Sequence, residues 1–390
     1  MQEWKTYTLK DLSKGKGEYG IGASAIPFDK DKLIYLRITD INDDGTLNKS
    51  GLTSVDAVDA SKYLLEKNDI VFARTGNSTG RSYFYDGSDG PLVYAGFLIR
   101  FRLDDSKVNP RILKYYSHSK PYYDWVQSFD TGGTRGNINA KTYGDMPITL
   151  PPRHVQDRIV DILYSLDAKI EYNRRINDNL EQQASFLFQD WLSNCNSNVS
   201  IRELAENVLD YTQNKCEQVY LLNSSDVTEG RFSSLPLVSN TNLKGQFKKR
   251  FKKGDILYSE IRPRNRHYAY CYFDADRYIA STRLIILRAK PDMLTSSTVL
   301  YQYLMLNSVF EEFTLKTESR SGTFPQGNYE DLSSIRVPYS ANQEEIAKSL
   351  EAIYEQLWNN LKENERLEAL RDSLLPKLMS GELKINEIDC

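Results

Sequence analysis

At 390 residues the chain is longer than one hydrophobic core usually organises, so at least two domains are expected. Its 40% hydrophobic and 26% charged residues suit an ordinary water-soluble protein, and no apolar run approaches the roughly 18 to 20 residues that cross a bilayer. Four scattered cysteines (Cys195, Cys216, Cys271, Cys390) and three separated histidines (His118, His154, His267) argue against a disulfide framework or a metal site, and a net charge of −3 argues, on average, against nucleic acid.

Met1 is followed by the polar stretch QEWKTYTLKDLSKGKG rather than a secretory signal, so a cytoplasmic location is expected. Up to residue 150, the apolar or β-branched runs KLIYLRI, DIVFAR and YAGFLIRF, separated by Gly, Asn and Asp, predict strands. The aromatic-rich ILKYYSHSKPYYDWVQSF predicts a helix after them, which makes the pattern α+β. Two loops, TGNSTGRS (75–82) and SFDTGGTRGNINAKTY (128–143), are dense in Arg, Asn, Ser, Thr and Gly. Such side chains bond base edges and phosphate oxygens, although ordinary surface turns have the same composition.

From Pro151 the chain runs without Pro or Gly through QDRIVDILYSLDAKIEYNRRINDNLEQQASFLFQDWL. Ile159, Leu163, Leu166, Ile170, Leu180, Ala184, Leu187 and Trp191 follow alternating steps of four and three, a heptad seam. The two seam positions in the middle are Asn173 and Asn177.

After this helix the chain repeats itself. Leu9-Lys10-Asp11-Leu12 is matched loosely by Ile201-Arg202-Glu203-Leu204, and Lys67, Asp69 and Ile70 recur as Lys253, Asp255 and Ile256, an offset of 186 residues. Tyr143, Asp145 and Met146 match Tyr329, Asp331 and Leu332 at the same offset. One residue further on, Gln156, Ile159, Leu163, Ile170, Asn173, Asn177 and Leu180 match Gln343, Ile346, Leu350, Leu357, Asn360, Asn364 and Leu367. The period is too long for the common solenoids, so a duplicated globular-plus-helix unit is expected. The second copy has its own strand runs (QVYLLN, DILYSEI, YIASTRLIILRA), its own aromatic helix (STVLYQYLMLNSVFEEFTL) and its own loops, IRPRNRHY (261–268) and KTESRSGTFPQGNY (316–329). The flanking strands agree while the loop tips do not, as two readers of two different sequences would require.

The second long helix has its seam at Ile346, Leu350, Ile353, Leu357, Leu367, Leu374 and Leu378, with Asn360 and Asn364 interrupting it. Ser340 and Gln343 predict a capping box at its start, with Pro338 just outside. Each helix is expected to be about 38 residues, roughly 57 Å. Seams of that length need a partner, and an antiparallel pair brings the two asparagine-bearing midpoints together. Asn173 and Asn177 are then expected against Asn360 and Asn364, fixing register at some cost in stability; the alternative is that they face solvent at a kink.

Charge is sorted along the chain. Residues 244–288 hold twelve Lys and Arg against four Asp and Glu, whereas the two helical segments hold nine basic and fifteen acidic residues. The basic stretch suits a phosphate-binding footprint, and Lys248, Lys249, Arg250, Lys252 and Lys253 either reach phosphates or form a solvated turn. No catalytic constellation stands out: there is no G-x-x-x-x-G-K-[ST] loop and no Asn-Pro-Pro-Tyr-like segment. Asp255, Glu260 and Arg262 faintly suggest a nuclease core, but the first copy does not repeat the carboxylate pair.

LPPRHVQDRIVDIL and VPYSANQEEIAKSL at the helix starts, LRDSLLPKLMSGEL at the end, and alternating variable and helical segments over nearly the whole chain resemble the specificity subunits of type I restriction-modification systems. The resemblance implies an α+β fold with an internal pseudo-twofold repeat, in which two long helices forming an antiparallel coiled coil join two target recognition domains. On this chain it implies recognition domains over 1–150 and 198–338, spacer helices over 151–197 and 339–380, and a C-terminal tail over 381–390. It further implies a non-catalytic, cytoplasmic subunit that reads a bipartite, asymmetric target in double-stranded DNA, with helices that set the half-site separation and dock two methyltransferase subunits. Two restriction/translocase subunits join those in the complete enzyme, and no membrane is involved. The chain itself is expected to bind no cofactor, with S-adenosylmethionine, ATP and Mg on the partner subunits. Carried onto the loops, DNA contacts fall on Arg74, Thr75, Asn77, Arg81, Thr134, Arg135 and Asn137 in the first copy. In the second they fall on Arg262, Arg264, Asn265, Arg266, Arg320, Thr323 and Gln326. The competing reading is a coiled-coil scaffold that never touches DNA.

Overall fold

The structure, a computed structural model, describes residues 4–129, 136–241, 243, 245–319 and 325–383. It divides into two compact units, Met1–Glu171 with Asn364–Cys390, and Tyr172–Glu363. The long helices Arg153–Ser193 and Glu344–Ser380 each contribute one part to each unit.

The first unit is built on the strand Asp69–Ala73, in which every residue is buried. Because successive side chains alternate, Ile70 and Phe72 face a helix-covered core with Ile112, Tyr116 and Tyr143, while Val71 and Ala73 face Tyr83, Tyr85, Leu92 and Leu98. Burial on both faces explains the unbroken apolar run DIVFA. The strand lies between Leu98–Arg102 and Ser82–Tyr85 in an antiparallel sheet edged by Glu18–Tyr19. A second sheet orders Ala25–Pro27, Thr53–Val55, Leu33–Leu36 and Leu92–Tyr94, the last pair parallel. The second unit repeats the first sheet as Ala205–Asn207, Leu284–Ala289, Ile256–Ser259 and Tyr268–Tyr270. It keeps the parallel pair of the other sheet as Gln218–Leu222 with Tyr278–Ser281. Each aromatic segment expected to be one helix is two: Pro110–Tyr116 with Lys120–Gln127, and Ser297–Met305 with Asn307–Glu318.

The repeated aspartate has a structural cause. Asp69 Oδ2 accepts from Glu66 N at 2.8 Å, and Asp255 Oδ2 accepts from Lys252 N at 2.9 Å, so each buried carboxylate closes the turn that launches the central strand. The neutralising arginine differs: Arg288 forks onto Asp255 at 2.7 and 2.9 Å, whereas Asp69 has Arg100 at 3.6 Å.

The match of Tyr143, Asp145 and Met146 to Tyr329, Asp331 and Leu332 is out of register by three residues. Leu9 N donates to Met146 O, and Ile201 N donates to Ile335 O, which makes Ile335 the equivalent of Met146. Asn139 and Asn328 cap the two short helices through identical bonds to the third helical N–H, at 2.9 Å in both. The offset here is therefore 189, and Tyr143 corresponds to Leu332. Three residues are nearly one helical turn, so the shifted pattern kept its spacing while moving along the same face.

In each unit the chain enters and leaves through one antiparallel strand pair, Lys5–Thr8 with Pro147–Leu150, and Ser197–Ser200 with Arg336–Tyr339. The long helix follows at once. Gln156 and Gln343 are both buried and bond the approach to it: Gln156 Nε2 donates to Pro151 O and Oε1 accepts from Asn109 N, while Gln343 Nε2 donates to Met293 O and Ser340 O. The capping box predicted from Ser340 and Gln343 is thus not formed: Gln343 lies before the helix start at Glu344, and its buried amide is drawn to carbonyls instead.

Within each unit the two helix parts run antiparallel. In the first, Asn364 Nδ2 donates to Ile170 O at 3.4 Å and Arg371 pairs with Asp167 at 3.2 Å. In the second, Asn173 Nδ2 donates to Glu363 Oε2 at 2.7 Å and Asn360 Nδ2 to Asn177 Oδ1 at 2.8 Å, while Asn177 Nδ2 donates to Leu357 O at 3.2 Å. All four asparagines are buried. The seam departs from expectation at one point: Leu187 is 38% exposed, and Phe188, fully buried, takes its place. The steps 177, 180, 184, 188, 191 contain two consecutive fours, a local stutter that rotates the seam by one residue.

Candidate nucleic-acid interface

The loops singled out in the first unit meet where the central strand ends. Arg74 O accepts from Ile138 N at 3.0 Å, and Thr79 Oγ1 donates to Gly136 O at 3.1 Å, which ties 74–80 to 136–138. Gly76 and Gly80, with φ of +71° and +89°, supply left-handed backbone that β-branched residues would resist. The Arg74 guanidinium lies 5.0 Å from the Tyr19 ring centroid, with Nε 3.4 Å from Asn137 Oδ1. Asn77 and Asn137 are exposed and Thr75 is half-buried beside them. Arg81 does not join this group: it pairs with Asp43 at 2.7 Å and donates to Ile41 O at 3.1 Å. Thr134 and Arg135 lie outside the described residues.

The second unit makes the same loop-to-loop junction with different side chains. Gly327 N donates to Glu260 O at 2.8 Å, Arg262 N to Pro325 O at 3.0 Å, and Ile261 bridges Gln326. Pro263–Asn265 forms a short 3-10 turn flanked by Arg262 and Arg266, whose φ values of +45° and +50° are left-handed. Such backbone costs a non-glycine residue roughly 1–2 kcal/mol, so the turn holds its arginines in place against a local preference. Arg264 forks onto Glu318 at 2.6 and 2.9 Å, and Arg266 stacks 4.4 Å from the Phe310 centroid. Asn265 is exposed, and Gln326 is half-buried next to Glu260, whose carboxyl is raised by burial against the pull of Lys249 and Arg283. Arg320 and Thr323 lie outside the described residues.

The basic stretch is not uniformly available. Lys249 is 5% exposed and donates to Leu284 O at 2.7 Å, because alternation in Phe247–Lys249 turns it inward with Phe247, and burial lowers its pKa. Lys248, Lys252 and Lys253 are exposed. Sequence reasoning missed Tyr19 and Phe310, the aromatic supports under Arg74 and Arg266, because no periodicity links residues so distant in the chain. Among the described residues there is no cluster of His, Cys, Asp and Glu able to hold a metal ion, and no helix is long and apolar enough to cross a membrane.

Comparison with known proteins bears on this doubled architecture. The family model for the type I restriction modification DNA specificity domain matches residues 1–182 and again 217–369. The chain belongs to this family. Over 163 residues it is 33% identical to the specificity subunit of the type I restriction enzyme HindI of Haemophilus influenzae, covering 41% of this chain and 35% of that one. It is 26% identical over 134 residues to the StySPI specificity subunit of Salmonella potsdam, covering 33% of this chain and 29% of that one. The chain therefore spans about a third of the length of these two specificity subunits. The fold itself is shared with the crystal structure of a type I restriction-modification S subunit from M. genitalium, at a TM-score of 0.59 and 17% identity over 96% of each chain. That S subunit and this member of the family thus have the same fold despite few shared side chains.

Proposed function

We propose that the chain is the non-catalytic specificity subunit of a type I restriction-modification complex, reading a bipartite, asymmetric DNA target through residues 1–150 and 198–338. The observation that carries this reading is the loop junction present in both units with different side chains: Arg74 over Tyr19 and bonded to Asn137 in one, and the Arg262–Arg266 turn against Gln326 in the other. A shared scaffold with different tips is what two half-sites of unlike sequence demand. Arg and Asn in such positions suit bidentate contacts to guanine and adenine edges. Arg81 and Arg264, already held by Asp43 and Glu318, suit phosphate contacts once those carboxylates yield.

The two long helices dock two methyltransferase subunits, through which two restriction/translocase subunits join. S-adenosylmethionine, ATP and Mg belong to those partners, and this chain supplies binding alone. The complex acts on chromosomal DNA in the cytoplasm.

The test is to co-express the chain with its neighbouring methyltransferase and map methylated adenines across the host genome. A split, asymmetric motif is expected. Arg74→Ala should relax base preference in one half of it and Arg262→Ala in the other, by roughly 1–3 kcal/mol, about five- to 150-fold. Equal loss in both halves from either substitution overturns the division of labour. Methylation without any motif, or the absence of salt-sensitive binding to duplex DNA, favours the scaffold reading.

A further inference from the structure

The second unit contains a cavity of about 210 Å³ between its helix pair and its sheets. Tyr268, Tyr301, Tyr354 and Trp358 form its aromatic walls, with Glu181 and Glu229 among its lining. It adjoins a wider cleft of about 450 Å³ that shares Glu181, Glu229 and Arg231, so it is reached from solvent past carboxylates. Tyr354 and Trp358 stack at 5.3 Å, and Tyr301 meets Tyr268 and Tyr354 edge-on at 6.2 and 5.5 Å.

Two features of this cavity bear on what it could hold. Tyr301 is only 5% exposed, and its hydroxyl, which has no hydrogen-bond partner among the described residues, opens onto the cavity. Gly230, at φ +82°, keeps the space before that hydroxyl open, since a Cβ there would lie 2.6 Å from it. The charge is also unbalanced. Arg231 faces Asp178 at 3.8 Å, and among the described residues no ion pair reaches Glu181 or Glu229, two exposed carboxylates at the cavity mouth. Burial raises the Glu181 carboxyl, Arg231 only partly opposes this, and Asp178 and Glu229 add to the rise.

The first unit shows what the equivalent place holds when it is filled. There Asp167 accepts Lys114 at 2.7 Å, Arg371 at 3.2 Å and the Tyr115 hydroxyl at 3.0 Å. Counting from the N-caps Asn109 and Ser296, Lys114 corresponds to Tyr301, and at the same offset of 187 Asp167 corresponds to Tyr354 and Ala184 to Arg371. The first unit seats two cations from its own chain. The second has lost both, and has aromatic rings, two carboxylates and empty volume instead.

We propose that this cavity is a binding site for an organic cation, an alkylguanidinium or alkylammonium group. The rings attract the cation through their faces, Glu181 and Glu229 neutralise it, and the Tyr301 oxygen accepts one of its N–H groups. An anion would meet the carboxylates, and a purely apolar guest would leave them and the hydroxyl unsatisfied.

The full chain is titrated with butylguanidinium and, in parallel, with neutral butylurea of the same shape, following Trp358 fluorescence with Trp358→Phe as the control for its origin. Saturable binding of butylguanidinium, about tenfold or more tighter than butylurea, is expected. The double variant E181Q/E229Q should lose about tenfold, and Tyr301→Phe a severalfold share, with circular dichroism and melting unchanged. No saturation, equal affinity for the two probes, or binding indifferent to E181Q/E229Q overturns the site. Repeating the titration on the complex with the methyltransferase separates the two sources of such a cation. Exclusion of the probe identifies a basic side chain of the partner as the occupant, and undiminished binding identifies a free amine or guanidine. Only this second arm rests on the function proposed above, so a failure of DNA reading leaves the first titration decisive.

Discussion

Two aspartates of the first unit, the buried Asp69 and the half-buried Asp167, illustrate how surroundings set the sign of a titration. Burial pushes Asp69 up to about 6, with Arg100 too distant to compensate, whereas around Asp167 a less complete burial is outweighed by Lys114 and Arg371 and the pKa falls below its ordinary value. A raised carboxyl contributes stability that is present below its unfolded value near 3.9 and is lost as pH rises through about 6. A lowered one contributes stability above about 3.9 and loses it as pH falls through the folded value. Asp167→Asn should therefore cost about 2 kcal/mol at pH 7, less than a fully enclosed pair because Lys114 is 35% exposed, and the cost should shrink below pH 4. Asp69→Asn should behave oppositely, gaining on the parent protein between pH 4 and pH 6. Urea midpoints at pH 4, 5, 6 and 7 check both, and parallel pH curves for either variant and the parent would refute the assignment. The repeat of Asp69 as Asp255 was legible in the sequence because both close the same turn. Their arginines were not, since Arg100 and Arg288 reach the carboxylates from non-equivalent positions.

At the scale of elements, the helix seam was read correctly wherever packing kept strict heptads, and misread where it did not. Leu187 and Phe188 are both apolar, and only volume decides between them: the larger ring fills the space beside Tyr303 and Trp191, at 5.0 and 5.6 Å, and Leu187 turns outward. The capping box at Ser340 failed for a related reason, because a motif specifies which bonds are available and not which competing acceptors are nearby. The Asn177–Asn360 bond lends itself to a double-mutant cycle. Asn177→Leu alone should destabilise the second unit by about 1–3 kcal/mol, since it leaves Asn360 buried with its Nδ2 donor stripped of its acceptor. Asn177→Leu with Asn360→Leu should recover most of that, giving a coupling energy above about 1 kcal/mol in thermal denaturation. Additive single losses would mean that the two side chains do not act as a pair.

For the whole molecule, the duplication has a consequence for folding. Each unit closes its own main core: the second packs Phe188, Tyr258, Tyr303, Phe313 and Leu350 together, all within Tyr172–Glu363. A fragment spanning residues 172–363 should therefore fold alone, with a single cooperative urea transition and native tryptophan fluorescence. A broad, non-cooperative transition would show that the units depend on each other. The repeat at this scale was visible from Asp69 and Asp255 onward, but its register slipped by three residues at Tyr143, where a helical turn imitates a match. The loop tips stayed opaque, because Tyr19 under Arg74 and Phe310 under Arg266 are partners made by folding and carry no spacing signal.

The paired strands Lys5–Thr8 with Pro147–Leu150, and Ser197–Ser200 with Arg336–Tyr339, act as a seal on each globular body. Both chain crossings occur at one spot, so whatever lies inside the seal is a cartridge whose contents can be rewritten without disturbing what lies outside it. On the function proposed above, a new sequence preference requires replacing one cartridge, while the four buried asparagines of the long helices remain as they were.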